Sequence, residues 1–403
     1  MPFVKVTQTM PEKSQLAWQR HLATLDDARA AWLNSPWAST DLERGRALFQ
    51  VLTMEHAGFH LFLSPRHLFP YFTTDVFHHP TAYTWGLCCP DFFYRHTFVD
   101  GARTYQIKAH PGTRRWTEFH VQSEFWGDPS FRTVGSWDLA DFQPAADGSI
   151  DIMLSPDPHE GNWIQLDPQE HYCMIVLRDA LYDWNRDQPT RVQIEALGRT
   201  GQEPAHVAEG DLDARLEKLD NFIHAAARHW IGRNSQIVAA AGFNHFWEGA
   251  EKSLGGIQHA SYLFMVYEIG PEDALIIETQ VPNSSRFWAV QLADLCYQTL
   301  EYMDHQSSLN AFQTTIDPDG NARFVLSLQD PGVPNWLDPV GNPRGVTAWR
   351  WVKTDIAPMP SVKKVALAEL QRHLHPQTQR VSPAQRRGVL AKRREGIRRL
   401  YDM

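Results

Sequence analysis

Four cysteines in 403 residues are too few for a disulfide framework, and the adjacent pair Cys88-Cys89 lacks the Cys-x-x-Cys spacing of a zinc or redox site. So low a thiol count in so long a chain implies reduced cysteines and a cytoplasmic protein. Positive charge is also short. A net charge of −9 argues against general nucleic-acid binding, because neutralising phosphates needs a basic field. No stretch has the apolar length to cross a bilayer, and "MPFVKVTQTMPEKSQLAWQRH" contains no apolar signal core. The expectation is a soluble chain with neither nucleic acid nor membrane as partner. Phosphate loops are missing too: "SLGGIQH" lacks the Gly-Lys-Ser order, and no GxGxxG or GxSxG occurs. Nucleotide cofactors and serine-hydrolase chemistry are therefore disfavoured, and no cofactor is expected. His56 and His60 stand four apart, as in a helical zinc pair, but Ala57 occupies the place of the glutamate in HExxH. No metal is expected either.

Aromatic residues are in excess. Fifteen Trp, eleven Tyr and 21 Phe make up 12% of the chain, alongside 19 His. Such rings either fill wide sandwich cores or line a cavity for a ring-bearing or sugar ligand. Local texture places them. Residues 12–35 have helical periodicity, and Thr40 with Glu43 forms a capping box for a second helix running to about Phe62. From Ala82 to Glu195 short β-rich runs alternate with Gly, Pro and Asp turns. Residues 201–253 turn helical, with Asp211 as cap and Leu212, Leu216, Leu219 and Ile223 on one face. β texture then returns. A last helical stretch begins near Ser361, breaks around Pro376, and resumes from Pro383 to Tyr401. Its basic run "RRGVLAKRREGIRRL" reads chiefly as a solvated helix face.

The two β regions repeat each other. Trp116/Trp288, Gly148/Gly320 and Arg178/Arg350 share one offset, and Asn162-Trp163 against Asn335-Trp336 differs from it by one residue. The fold expected is mainly β with flanking helices: two tandem homologous β-sandwiches. The boundaries are an N-terminal helical segment 1–80, a first sandwich 81–200, a helical linker 201–255, a second sandwich 256–358, and a helical tail 359–403. The segment "SSLNAFQTTIDPDGNARFVLSLQDPGVPNWLDPVGNPRGVTAWRW" resembles the bacterial β-sandwich family known as domain of unknown function 1214. The resemblance is close over Ala274 to Lys353 and looser in the N-terminal half, where "PDPHEGNWIQLD" lacks the Pro-Gly turn. It implies a jelly-roll-like sandwich and no particular reaction.

Candidate site residues have two readings each. Asp330-Pro331-Gly332 is a tight turn, after which Trp336 either plugs a sandwich end or forms a stacking wall with Asn335 and Asp338 as polar contacts. An inward Arg350 calls for a carboxylate such as Asp338 or Asp330, and Arg178 for Asp157 or Asp167. Glu118, His120 and Gln122 share one strand face, which looks either to water or into a cavity; in a cavity Glu118 and His120 form an acid/base pair. Glu301, Tyr302 and His305 sit in a segment dense in titratable groups, suited to proton abstraction and return. The function expected is cofactor-independent acid/base chemistry of lyase, isomerase or hydrolase type. Its substrate would be a bulky, partly apolar cyclic metabolite (aromatic, terpenoid or glycoside) in a cleft walled by Trp336, Trp288 and Trp163, with Asn162 alongside. The alternative is a non-catalytic protein that binds a small molecule or carbohydrate. Assembly into a homo-oligomer is left open.

Overall fold

The structure is a computed structural model and describes residues 12–74, 78–80, 83–199, 212–249 and 255–403. Two helices lead, α1 (Glu12–Leu33) and α2 (Asp41–Gly58). The capping box forms: the Thr40 hydroxyl accepts from Glu43 N–H, and the Glu43 carboxylate accepts from the cap backbone. Glu43 also meets Arg344 at 2.8 Å, which ties α2 to the second β region. The α-helix widens into a π turn over Phe59–Leu63, close to the expected end. A short hairpin follows, β1 (His78–His79) with β2 (Tyr83–Thr84).

The first β region holds β3 (Phe92–Val99), β4 (Tyr105–His110), β5 (Trp116–Ser123), β6 (Arg132–Asp138), β7 (Ile150–Ser155), β8 (Trp163–Gln165), β9 (Cys173–Ala180) and β10 (Arg191–Ala196). After α3 (Leu212–Ala241) the second holds β11 (Trp247–Gly249), β12 (Ala260–Glu268), β13 (Asp273–Gln280), β14 (Ser285–Ala293), β15 (Ser308–Asn310), β16 (Asn321–Leu326), β17 (Trp336–Leu337), β18 (Arg344–Thr354) and β19 (Ser361–Ala366). Helix α4 (Pro383–Tyr401) closes the chain. The sheet orders are β3-β9-β5-β6 and β10-β4-β7-β8 in the first half, β11-β12-β18-β14-β15 and β19-β13-β16-β17 in the second. Replacing β3 by β12, β4 by β13, and so on to β10 by β19, turns one set of orders into the other, with β11 the single addition. The tandem duplication is therefore a property of the topology.

Strand alternation builds the three largest cores. Phe119, Val121, Ile175 and Leu177 point into the first sandwich against Ile107 and Ile152. Met265, Val290 and Trp349 point into the second against Leu275 and Phe324. The other faces of these strands carry Tyr94, Val176, Tyr262, Phe264, Ala289 and Ala348, which join residues of α1, α2 and α3 in a third cluster. The sheets β3-β9-β5-β6 and β12-β18-β14-β15 thus face each other between the sandwiches. Covered on both sides, β5 and β9 are buried along their whole length.

The repeat markers hold with one exception. Gly148 and Gly320 both take the left-handed conformation, φ 79° and 83°, that a tight turn here requires. Asn162 bridges Gln143 and Asp151 through the same three bonds by which Asn335 bridges Thr315 and Arg323. Trp116 and Trp288 are not counterparts. Arg178 pairs with Glu118, and Arg350 with Ala289; two residues past each arginine stand Trp116 and Phe287. A slip of one residue reverses the face. Trp116 accordingly lies between the sandwiches, whereas Trp288 stacks on Trp349 inside the second, at 6.0 Å.

Three local expectations are corrected. Ser361–Ala366 is a strand, paired with Asp273–Glu278, because the second half needs its equivalent of β10. Helix α3 ends at Ala241 and residues 247–249 are extended; the Asp211 cap lies outside the described residues. The basic final helix is not simply solvated: Arg386 and Arg393 are buried. Arg386 pairs with Asp330 at 3.0 Å, Arg394 pairs with Asp304, and Arg399 donates to the carbonyl of Trp184 at 2.8 Å. These arginines clamp α4 onto both sandwiches.

Candidate functional site

The facing sheets are joined by two arginines in equivalent places. In the first half, β9 sets Arg178 between Tyr94 of β3 and Glu118 of β5. In the second, β18 sets Arg350 between Tyr262 of β12 and Ala289 of β14. Each reaches across to the other half. Arg178 Nη2 donates to the carbonyl of Gly255 at 2.8 Å, and Arg350 Nη2 donates to the carbonyl of Leu87 at 2.6 Å. Leu87 and Gly255 are themselves equivalent, since Cys89 N–H donates to the Tyr94 hydroxyl and Ile257 N–H to the Tyr262 hydroxyl. Both have positive φ, 60° and 83°, which turns their carbonyls toward the opposite arginine. The halves therefore meet through reciprocal bonds about a local pseudo-twofold, as two copies of one subunit do in an isologous dimer.

The surroundings of the two guanidinium groups differ. Arg178 Nη1 donates to Glu118 Oε2 at 2.5 Å and to His120 Nδ1 at 3.0 Å. Burial would raise the Glu118 carboxyl; the adjacent Arg178 outweighs it and holds the carboxyl below its ordinary value. Burial, with Arg178 adding to it, pushes His120 down to about 3, so the imidazole is neutral and accepts from the guanidinium. Its Nε2 lies 3.2 Å from the Thr133 hydroxyl. In the second half Gln291 takes the place of His120, and its Oε1 accepts from Arg350 Nη1 at 2.5 Å. Nothing takes the place of Glu118, because the equivalent residue is Ala289. Arg350 is only 5% exposed and forms no ion pair within 4 Å among the described residues.

A cavity of about 110 Å³ opens beside these arginines. Trp85, Phe92, Phe125, Trp126, Trp230 and Phe264 supply much of its wall, and Arg178, Arg350 and Gln122 its polar spots. The amide nitrogen of Gln122 is buried and, among the described residues, has no hydrogen-bond partner. Burial moves the acidic groups of the wall further above neutrality: Cys88 goes up to about 12 and Tyr94 well above its ordinary value. Glu118 and His120 sit behind Arg178 rather than in the wall. The arrangement can hold an apolar body and an anionic head; among the described residues of the wall no group is poised to exchange a proton near neutrality. Among the described residues no cluster of three or more His, Cys, Asp or Glu could hold a metal ion, and no helix is long and apolar enough to cross a membrane.

The residues nominated from the sequence divide into groups. Glu118, His120 and Arg178 come together, on a face that is buried between sandwiches rather than turned to bulk water. His305 and Asp338 also come together, Nδ1 to Oδ2 at 2.7 Å, with the imidazole about 42% exposed. This pairing overturns Asp338 as the partner of Arg350, and Asp330 is taken by Arg386. Arg178 meets Glu118 rather than Asp157 or Asp167; Asp167 faces Arg132. Glu301 accepts from the backbone N–H groups of Met303 and Asp304, capping a turn. Tyr302 is buried against Trp184 at 6.0 Å. The indoles of Trp163 and Trp336 donate to the carbonyls of Ser155 and Ser327, equivalent positions at the sandwich ends. With Trp288 inside the second sandwich, these three rings wall no common cleft. The Trp residues that do are Trp85, Trp126 and Trp230, which no sequence motif marks. Only their match to no sandwich strand could have drawn attention to them.

Comparison with known proteins agrees with the duplication. The family described as "Protein of unknown function (DUF1214)" matches this chain twice, over residues 95–183 and 273–351, once in each sandwich. No curated protein matches the chain. The crystal structure of an uncharacterized protein from Burkholderia cenocepacia superposes with a TM-score of 0.81 at 23% identity, covering 88% of this chain and 98% of that one. A protein from Vibrio parahaemolyticus gives a TM-score of 0.45 at 13% identity, over 85% of this chain and 100% of that one. The first likeness is one of fold.

Proposed function

We propose that this protein binds an amphipathic anion, an apolar or aromatic body bearing a carboxylate, in the cavity between its two sandwiches. The observation that carries the reading is Arg350, a guanidinium 5% exposed, in the cavity wall, with no carboxylate within 4 Å among the described residues. Burying an unbalanced charge costs several kcal/mol, and a ligand carboxylate offsets that cost. The unpartnered amide of Gln122 offers a second donor, and the ring-lined wall takes the body of the ligand. All four cysteines are free and buried, which supports a reducing compartment such as the cytoplasm.

A second reading retains acid/base catalysis of lyase, isomerase or hydrolase type. The half-exposed His305–Asp338 pair favours it, because a carboxylate that orients an imidazole is a common general-base arrangement. His305 is not in the wall of the inter-sandwich cavity, so this reading needs a different binding place for its substrate.

Calorimetric titration with decanoate and with decanol, equal in chain length, tests the first reading. Decanoate is expected to bind about tenfold or more tightly than decanol, a difference of about 1.4 kcal/mol, and Arg350→Gln to abolish that preference. Equal affinities for acid and alcohol would remove the anion from the account. Turnover of cyclic metabolites lost in His305→Ala and kept in Arg350→Gln would favour the second reading.

A further inference from the structure

The two arginines began as equivalents and no longer carry equivalent charge. Arg178 is balanced by Glu118. Arg350 has Ala289 at the matching ladder position and the neutral Gln291 where the first half has His120. Everything else about the pair is shared: the neighbouring tyrosine, the bond across to the opposite loop, and the burial, 8% and 5% exposed. The close ion pair that Arg178 has and Arg350 lacks therefore comes down to one pair of positions, 118 and 289.

We infer that positions 118 and 289 set the charge the cavity accepts: Glu118 confines Arg178 to joining the halves, and Ala289 leaves Arg350 free for a ligand head carrying one negative charge. This deepens the anion-binding reading and rests on it. A monoanion leaves the buried site neutral. A dianion leaves one negative charge without a partner in a setting of low dielectric, which costs more than the second charge gains. The ligand class is thus a monocarboxylate on an apolar body, and phosphate monoesters are disfavoured.

The test compares decanoate with decyl phosphate at about pH 8, where the ester carries close to two charges, by calorimetry on the full chain. Wild type is expected to favour decanoate about tenfold or more. Ala289→Glu, which gives Arg350 the carboxylate that Arg178 already has, is expected to weaken decanoate about tenfold and leave decanol unchanged. Gln291→Glu brings the same charge without added bulk, and is used if the larger side chain prevents folding, as judged by a cooperative melt. Glu118→Gln discharges the partner of Arg178 and is expected to narrow the gap between decyl phosphate and decanoate. Equal binding of the two probes by wild type overturns the inference, as does a folded Ala289→Glu or Gln291→Glu protein that binds decanoate like wild type. Either result leaves anion binding standing, whereas a wild type that takes no decanoate refutes that reading itself.

Discussion

Substituting His120 by glutamine should make the protein more resistant to acid. Gln is the residue the second half places at the equivalent site, where it accepts from Arg350 as His120 accepts from Arg178, so the bond to the guanidinium survives. The imidazole ordinarily titrates near 6.5, but burial and Arg178 push it down to about 3 in the folded chain. Below 6.5 the unfolded chain therefore takes up a proton that the folded chain refuses. Stability is full above the unfolded value and is lost as pH falls from there toward the folded one. At 1.36 kcal/mol per pH unit, the loss between about pH 7.5 and pH 4.5 is ~3 kcal/mol from this residue. Other groups change charge in the same range. His67 and His229 are pushed down to about 4, and Asp91 and Asp294 up to about 6, all by burial. They act in wild type and variant alike and cancel in the difference. Urea unfolding at the two pH values measures it, and with a slope of roughly 3 kcal/mol/M the effect is a midpoint shift of about 1 M. Loss of the contact to Thr133 lowers stability equally at both values and does not confuse the reading. Identical acid sensitivity in wild type and His120→Gln would refute the argument that this imidazole is buried neutral.

Two further predictions follow from the duplication. Asn335→Ala should cost about 3 kcal/mol, since its three bonds tie its buried turn to Thr315 and to Arg323 of β16, and Asn162→Ala somewhat less because it is partly exposed; melts in which neither is destabilised would deny the asparagines this role. Tyr94→Phe and Tyr262→Phe should each cost about 1–2 kcal/mol by leaving the N–H of Cys89 or Ile257 without its acceptor; hydrogen exchange should speed up at that amide in each variant, and unchanged protection would show the hydroxyls to be incidental.

The duplication was legible in the sequence because turns and strand spacing are local, and Gly148/Gly320 and Asn162/Asn335 mark the same turns twice. The face of each strand was harder to read. A shared offset makes Trp116 and Trp288 look like counterparts, and one residue of slip is enough to put them on opposite sides of the sheet. The stripe of Glu118, His120 and Gln122 alternates like an exposed strand face. Only the second sandwich, far along the chain, covers it. The same long-range packing hid the cavity. Trp85 precedes the first sandwich strand, Trp126 follows β5, and Trp230 lies on α3, so no short segment holds two of its three indoles. Arginine partners were illegible for a related reason: the contacts of Arg178 and Arg350 run across the ladder and between halves, not to aspartates nearby in the chain.

A crystal structure grown with decanoate reads out whether an anionic head group sits at Arg350, between the sandwiches. The carboxylate is expected within hydrogen-bond reach of the Arg350 guanidinium and the Gln122 amide, with the chain running along Trp85 and Trp230. Density for the ligand elsewhere, in the groove beside α4 or against the exposed Leu48 and Leu52 of α2, with the inter-sandwich cavity unchanged, would contradict it.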